Sequence, residues 1–148
     1  MQTFLPYADL SSIKLLDPKR LGNQVYREGK TLISGKWPNH PASKIWKNHK
    51  RALALYCLYG LEELSARGRH YPHWYDYFQE VYETEPITGL PPIIGYEPFH
   101  SGHRAALLAK DPVWYSKYGW VELPTTDAYV WVRGPVGARP RRITRNDY

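Results

Sequence analysis

The sequence predicts a mainly α-helical fold, a compact single-domain bundle of about three main helices with short helices, irregular loops and an extended carboxyl-terminal segment. The chain has 148 residues, the usual size of one domain. Asp17-Pro18 and Asp111-Pro112 are typical helix starts, because aspartate caps free backbone amides and proline suits the first helical turn. Apolar residues recur at spacings of three and four, which favours helices over strands.

Capping residues, prolines and glycines bound the predicted helices: Asp17 to about Ser34, Pro41 (after Asn39) to Gly68, Pro72 to about Glu83, Ser101 to Lys110, and Asp111 to Gly119. The third of these should bury Trp74, Phe78 and Val81. The loop from Glu85 to Pro98 is too rich in proline and glycine for regular structure. Trp120 to Val132 is interrupted by Pro124, so we expect extended chain or one edge strand and no sheet.

The predicted helical domain covers residues 1–132, and residues 133–148 form a basic tail that we expect to be poorly ordered. The amino terminus has no signal-peptide pattern and no apolar run could span a membrane, so we expect a cytoplasmic protein. The single cysteine, Cys57, lies in an apolar run and excludes a disulfide within the chain. We expect it to be a buried, unreactive thiol.

Positive charge is concentrated in one part of the chain. The formal net charge is +6, and residues 14–51 hold ten basic side chains against two acidic ones. A solvated lysine-rich face normally interleaves acids, so this balance favours a nucleic-acid partner. The candidate phosphate contacts in this segment are Lys19, Arg20, Lys30, Lys44, Lys47 and Arg51. Lys44, Lys47 and Arg51 are predicted to share one face of the second helix.

Glu28 is the leading candidate for chemistry. It follows Leu21 and Val25 and precedes Leu32 at spacings that put a carboxylate on the apolar face of the first helix. A buried carboxylate needs a partner or a purpose. The structural alternative is a pair with Arg27, Lys30 or a histidine of the second helix. Gly29, a poor helix former, removes a side chain where a ligand or another backbone approaches.

An aromatic cluster near the end of the chain is a second candidate. Trp114, Tyr115 and Tyr118 are interleaved with Lys117, and aromatic planes beside a cation suit unstacked bases and phosphates. The alternative is a satellite core that anchors the carboxyl-terminal segment, and the two uses are compatible.

Histidine pairs offer a weaker case for a metal site. His70/His73 and His100/His103 could each supply two ligands from one helical face, but neither pair has a nearby cysteine or carboxylate cluster. His103 and Arg104 serve equally well as phosphate contacts, and we expect no metal. Glu28 and Lys30 also form the Glu-x-Lys element of a class of metal-dependent nucleases, although that element normally lies on a strand.

Three features together resemble the phage-type pyrimidine-dimer DNA glycosylases, the endonuclease V family. They are Tyr26-Arg27-Glu28 on the first long helix, Asn39-His40-Pro41 opening the second, and Trp114-Tyr115-x-x-Tyr118-Gly119 near the end. Their order and separations carry the resemblance, which extends to Trp120.

The resemblance implies a monomeric helical repair enzyme that bends double-stranded DNA, flips a nucleotide and needs no metal or cofactor. It implies that an amino-terminal amine, here that of Met1, attacks the sugar, with an imine intermediate and associated AP lyase activity. Glu28 would be the central catalytic residue, Arg27 would contact DNA phosphate, and His40 joins the candidate DNA-binding residues. A DNA-associated protein in the cytoplasm of a bacterial or phage-infected cell would follow.

Departures from the family pattern leave the damaged base open. The best-known members expose an amino-terminal threonine, whereas here Gln2 follows a Met1 that we expect to be retained. Lys19 stands in place of a family histidine, and Lys30 or Thr31 in place of a family arginine. A non-catalytic DNA-binding module and the metal-dependent nuclease are the alternatives to a glycosylase.

Overall fold

A computed structural model describes residues 2–131 and the backbone of residues 141–142. It is mainly helical, as predicted. Its α-helices in the described residues are α1 (Pro18–Asn23), α2 (Lys30–Ile33), α3 (Pro41–Trp46), α4 (Lys50–Ala66), α5 (Pro72–Thr84), α6 (Glu97–Lys110) and α7 (Pro112–Tyr115). Leu10–Leu15 and Ser116–Tyr118 are 3₁₀ turns, Gln24–Gly29 is a turn of π-helix, and β1 (Val130–Trp131) pairs with β2 (Arg141–Arg142).

The predicted first helix is confirmed as α1, the π turn and α2 in direct succession. The Asp17 carboxylate caps it by accepting from the backbone N–H of Arg20 at 3.4 Å. Leu21, Val25 and Leu32 are buried, which confirms the apolar face. This face packs on α4.

The predicted single helix from Pro41 to Gly68 is wrong, because the chain breaks between α3 and α4. Asn48 has a φ of 67°, a left-handed conformation that asparagine tolerates better than most residues. The Asn48 carbonyl oxygen lies at the break between the two helices and accepts from the Thr88 hydroxyl at 2.6 Å. His40 caps α3, since its Nδ1 accepts from the N–H of Ala42. Gly68, with φ of 89°, ends α4 as predicted.

The next two helices keep the predicted order with one changed boundary. In α5 Phe78 is fully buried, whereas Trp74 and Val81 are only half-buried. The start of α6 was predicted at Ser101 and lies at Glu97, where Pro98 occupies the first turn of the helix and suits it. The Ser101 hydroxyl instead donates to Glu122.

The end of the chain combines confirmed and corrected elements. The Asp111 carboxylate accepts from the N–H of Trp114, and Gly119 closes the following turn with φ of 70°. The strand β1 pairs antiparallel with β2. A small sheet of two strands, each two residues long, therefore forms where extended chain or one edge strand and no sheet was expected. The boundary at residue 132 stays a prediction, and the remainder of the tail lies outside the described residues.

The core lies between the amino-terminal segment, α4 and α6. Leu5, Leu53 and Leu107 are fully buried in it, as is Cys57, whose thiol pKa is raised by burial. None of the helices in the described part of the chain has the length and apolar character that crossing a bilayer requires.

Candidate active site

A turn of π-helix carries Glu28. Such turns insert an extra residue into a helix and are frequent at functional sites. Gly29 permits this one to pack on α4, since a Cβ there would lie 2.3 Å from Cys57 Sγ and 2.9 Å from the Gln24 carbonyl oxygen. The absence of a side chain at Gly29 therefore leaves room for the Cys57 thiol of α4.

Glu28 lines a cavity of about 400 Å³. The basic side chains that line it are Lys19, Arg20, His40 and Lys110. Lys19 and Lys110 are exposed, while the Arg20 guanidinium lies 3.2 Å from the Asp17 carboxylate. A cavity with several cations around one carboxylate can hold an anionic backbone against an acid–base group.

The Glu28 carboxylate has little structural use. Its side chain is 15% exposed, and its one ion pair among the described residues is with Arg27, with Nε and Oε1 3.8 Å apart. The Arg27 side chain is 73% exposed. An ion pair of that length with a solvated partner contributes little to stability, so the carboxylate is available for chemistry.

The amino-terminal segment runs through the protein interior to the same cavity. Gln2 and Thr3 are buried, and Gln2 lines the cavity. The Gln24 side chain donates to the Gln2 carbonyl oxygen at 2.9 Å and accepts from the N–H of Phe4 at 2.8 Å. The Trp46 indole donates to the Thr3 hydroxyl at 2.9 Å. Met1, which a peptide bond joins to Gln2, lies outside the described residues.

His40 joins the cavity from the start of α3. Its Nδ1 accepts from the N–H of Ala42 at 3.0 Å, so the neutral ring carries its proton on Nε2. Burial lowers its pKa, which favours the neutral form. His40 can therefore donate one hydrogen bond from Nε2 without carrying a charge.

His103 and Arg104, predicted to contact DNA, are buried within α6. The Leu5 N–H donates to His103 Nδ1 at 2.8 Å, and burial lowers the pKa of His103 to about 3. Arg104 donates to the Pro6 carbonyl oxygen at 2.7 Å and pairs with Glu97 and Glu122. These side chains hold the amino-terminal segment and do not reach the cavity.

The histidine pairs do not form metal sites among the described residues. His100 uses both ring nitrogens on backbone, with Nδ1 2.9 Å from the Leu5 carbonyl oxygen and Nε2 accepting from the Gly95 N–H. His70 Nδ1 lies 2.9 Å from the Ser65 hydroxyl oxygen, and the His73 ring lies 4.6 Å from the Trp74 ring.

The carboxyl-terminal aromatics anchor the start of the first helix. Tyr115 is fully buried. The Trp114 indole and the Tyr118 hydroxyl both donate to the Leu15 carbonyl oxygen at 2.9 Å, and Lys117 Nζ lies 3.4 Å from the Trp114 ring centroid. The structure thus supports the anchoring interpretation, and burial removes Tyr115 from any base-stacking surface.

The basic side chains of the second predicted helix do not share one face, because α3 ends before Lys47. Lys44 is half-buried and Lys47 is exposed. Arg51 donates to the Tyr82 carbonyl oxygen at 2.7 Å and stacks 4.0 Å from its ring. Lys30 lies 5.2 Å from the Trp74 ring and does not line the cavity, so Glu28 and Lys30 do not combine as a nuclease element would require.

Sequence reasoning missed several residues that line the cavity: Gln2, Asn23, Gln24, Lys110, Tyr129 and Trp131. Lys110 comes from the far end of α6, which only the tertiary fold brings to the first helix. Tyr129 and Trp131 alternate along the chain at β1, and this period of two was the one available signal.

The model of the pyrimidine dimer DNA glycosylase family matches residues 1–77. The match includes the amino-terminal segment, the helix of Glu28 and the start of α3 at His40. It stops before α6 and the aromatic cluster. No curated protein and no solved structure matches the chain.

Proposed function

The chain belongs to the pyrimidine dimer DNA glycosylase family of DNA repair, and from that premise we propose that it flips a damaged or modified pyrimidine nucleotide out of double-stranded DNA and cleaves its glycosidic bond. We further propose that an associated AP lyase step cuts the strand. One observation carries the proposal: Glu28 and Gln2, the neighbour of Met1, line the same cavity.

The proposed nucleophile is the α-amine of Met1. An α-amine has an ordinary pKa of about 7.7 to 8.0, so a useful fraction is neutral at cellular pH, unlike a lysine amine near 10.4. Its lone pair attacks the sugar C1′, and the bond from C1′ to the base breaks with its electrons leaving on the base. One nitrogen proton passes to the departing base. The nitrogen lone pair then forms the second C1′–N bond as the C1′–O4′ bond breaks, and the second nitrogen proton passes to O4′, which leaves an imine between Met1 and C1′ and a hydroxyl on C4′.

Glu28 has two proposed roles in this sequence. Its negative charge stabilises the cationic sugar as the base departs, and its oxygens accept and return protons during imine formation. Elimination then transfers a proton from C2′ to a base and breaks the C3′–O bond, so that a C2′=C3′ double bond forms and the phosphate leaves with the electron pair. Its low exposure strengthens the electrostatic effect, because less water screens the charge.

The proposed DNA contacts follow from exposure and position. Lys19, Arg27 and Lys110 are exposed cations, and Lys19 and Lys110 line the cavity. They suit the phosphates around the flipped nucleotide. Neutral His40 can donate from Nε2 to a base or sugar oxygen. We propose that the protein acts as a monomer without a cofactor.

Reductive trapping tests this function. The protein is incubated in EDTA with irradiated, abasic and undamaged duplexes, with and without borohydride, and the trapped peptide is identified by mass spectrometry. We expect trapping through Met1 with the abasic duplex and strand cleavage without borohydride. Cleavage only with added magnesium would support the nuclease, and a mobility shift without cleavage would support the binding module.

A further inference from the structure

Three side chains of α6 hold two consecutive residues of the amino-terminal segment. His103 Nδ1 accepts from the Leu5 N–H, His100 Nδ1 donates to the Leu5 carbonyl oxygen at 2.9 Å, and Arg104 donates to the Pro6 carbonyl oxygen. The backbone polar groups of Leu5 and Pro6 are thus satisfied by side chains rather than by a neighbouring strand.

The two histidines are held in opposite tautomers. His100 Nε2 accepts from the Gly95 N–H at 2.9 Å, so its proton lies on Nδ1 and faces the Leu5 carbonyl oxygen. His103 accepts at Nδ1, so its proton lies on Nε2, a buried atom without a hydrogen-bond partner among the described residues. A buried unpaired donor is costly, which indicates that the bond from Leu5 sets this tautomer.

The hydrogen bonds from His100, His103 and Arg104 restrict how far the amino-terminal segment can slide along its own axis. A slip by one residue would bring Pro6, which has no N–H, to His103 Nδ1. A slip in the other direction would bring the Phe4 N–H to His103 Nδ1 but would draw the Thr3 hydroxyl away from the Trp46 indole, which donates to it at 2.9 Å. The side chains of α6 therefore oppose a slip in one direction, and the Thr3 contact opposes it in the other.

We propose that His100, His103 and Arg104 are positioning residues that set the register of the amino-terminal segment and thereby hold Gln2, whose neighbour Met1 carries the proposed nucleophilic α-amine, at the Glu28 cavity. This rests on the proposed function, in which that amine is the nucleophile. Three residues separate Met1 from Leu5, and Gln24 holds the chain between them at Gln2 and Phe4. A displacement of about 1 Å at a reacting atom can cost about 100-fold in rate, so register at Leu5 governs the reaction at Met1.

A matched pair of variants at His103 separates positioning from packing. Asparagine and leucine have the same branched shape, and both lose the ring contacts of His103 with Phe4, Phe99 and Tyr129. Only His103→Asn retains an oxygen that accepts from the Leu5 N–H. His100→Asn and His100→Leu form a second pair, in which only asparagine donates to the Leu5 carbonyl oxygen, and this pair serves if His103→Leu does not fold.

Three measurements are made on each full-length variant: hydrogen exchange at the Leu5 amide, the rate of borohydride trapping at saturating abasic duplex, and the Kd for a duplex with an uncleavable abasic analogue. We expect His103→Leu to lose Leu5 protection and to slow trapping by about 10- to 100-fold at unchanged Kd. His103→Asn should recover most of the rate.

Two other outcomes overturn the proposal and differ in what they leave standing. In the first, the wild type traps through Met1, and the leucine and asparagine variants trap at the same rate when each is assayed the same number of degrees below its own Tm. The side chains of α6 then contribute packing only, and the proposed function survives. If the wild type traps through a lysine, the proposed nucleophile is wrong and the positioning proposal falls with it.

Discussion

The Tyr115 hydroxyl donates to Asp17 Oδ1 at 2.5 Å and accepts from the Asp17 N–H at 2.9 Å, although the two residues are 98 positions apart. Asp17 caps the helix that carries Glu28, so α7, near the end of the described chain, fixes the start of that helix. This contact assigns Tyr115 a structural role and yields the first prediction.

Replacing Tyr115 by phenylalanine should destabilise the protein and leave DNA affinity nearly unchanged. The variant keeps the buried ring but leaves the Asp17 N–H without its partner, which costs about 1 to 3 kcal/mol of unfolding free energy. Urea unfolding and DNA titration measure the two effects. A variant of normal stability with weakened DNA binding would restore Tyr115 to a base-stacking surface.

The salt dependence of DNA binding should identify which cations contact phosphate. Lys19→Gln and Lys110→Gln should each reduce the slope of log K against log salt by about 0.9, the value for one lost phosphate contact. Arg51→Gln should leave the slope unchanged, because that guanidinium is engaged on Tyr82. Fluorescence anisotropy over a salt series measures all three, and a reduced slope for Arg51→Gln would move the DNA towards α4.

Local sequence signals predicted the helices. Prediction from the sequence failed where segments that are distant along the chain come into contact. Asp17, Asp111 and Gly119 act as the caps and stops that their residue types indicate. The break at Asn48 was missed because its compensating hydrogen bond comes from Thr88, 40 residues along the chain. The regular spacing of apolar residues along residues 41–68 does not indicate that hydrogen bond.

The same limit applies to the site. Glu28 was identifiable because its helix periodicity is local, whereas Lys110 reaches the cavity only through the fold. His103 and Arg104 resemble phosphate ligands by composition, yet burial against Leu5 and Pro6 turns them inward. Charge alone does not distinguish a cation that binds DNA from one that binds its own backbone.

Acid should destabilise the protein through His103. Burial lowers its folded-state pKa to about 3, while the unfolded value is about 6.5, so the unfolded state binds more protons between these values. The contribution is fully present above pH 6.5 and is lost as pH falls towards 3, by at most about 1.4 kcal/mol per pH unit. Urea unfolding at pH 7 and pH 4.5 tests this. His103→Asn is the control and should show a smaller difference, because the other titrating groups are shared; an equal difference would contradict the assignment.

Gly29→Ala should destabilise the π turn, and shortening Cys57 should partly restore it. The new Cβ would meet Cys57 Sγ at 2.3 Å and the Gln24 carbonyl oxygen at 2.9 Å, an overpacking that costs about 1 to 3 kcal/mol. Cys57→Ala removes the nearer atom and leaves the second contact. A double-mutant cycle by urea unfolding should therefore show coupling between the two sites, and strict additivity would contradict it.

Replacing Glu28 by glutamine tests the proposed catalytic role of its carboxylate. Glu28→Gln keeps the size of the side chain and removes its charge, so DNA affinity should stay nearly constant while turnover falls by about 100-fold or more, as expected for a group that acts in the transition state. Single-turnover cleavage of the abasic duplex measures the loss.

An amino-terminal extension of two glycines is the companion variant. It should abolish trapping while Glu28 and its cavity remain intact, since it moves the amine without altering a described side chain. If the extended protein still traps and the trapped peptide carries the DNA on a lysine, that lysine is the nucleophile, and the cavity limits the choice to Lys19 and Lys110 because Lys30 lies over Trp74. Lys19→Arg and Lys110→Arg keep the charge and remove the nucleophile, so the one that abolishes trapping in the extended protein identifies it. Full activity of Glu28→Gln would instead remove the carboxylate from the mechanism.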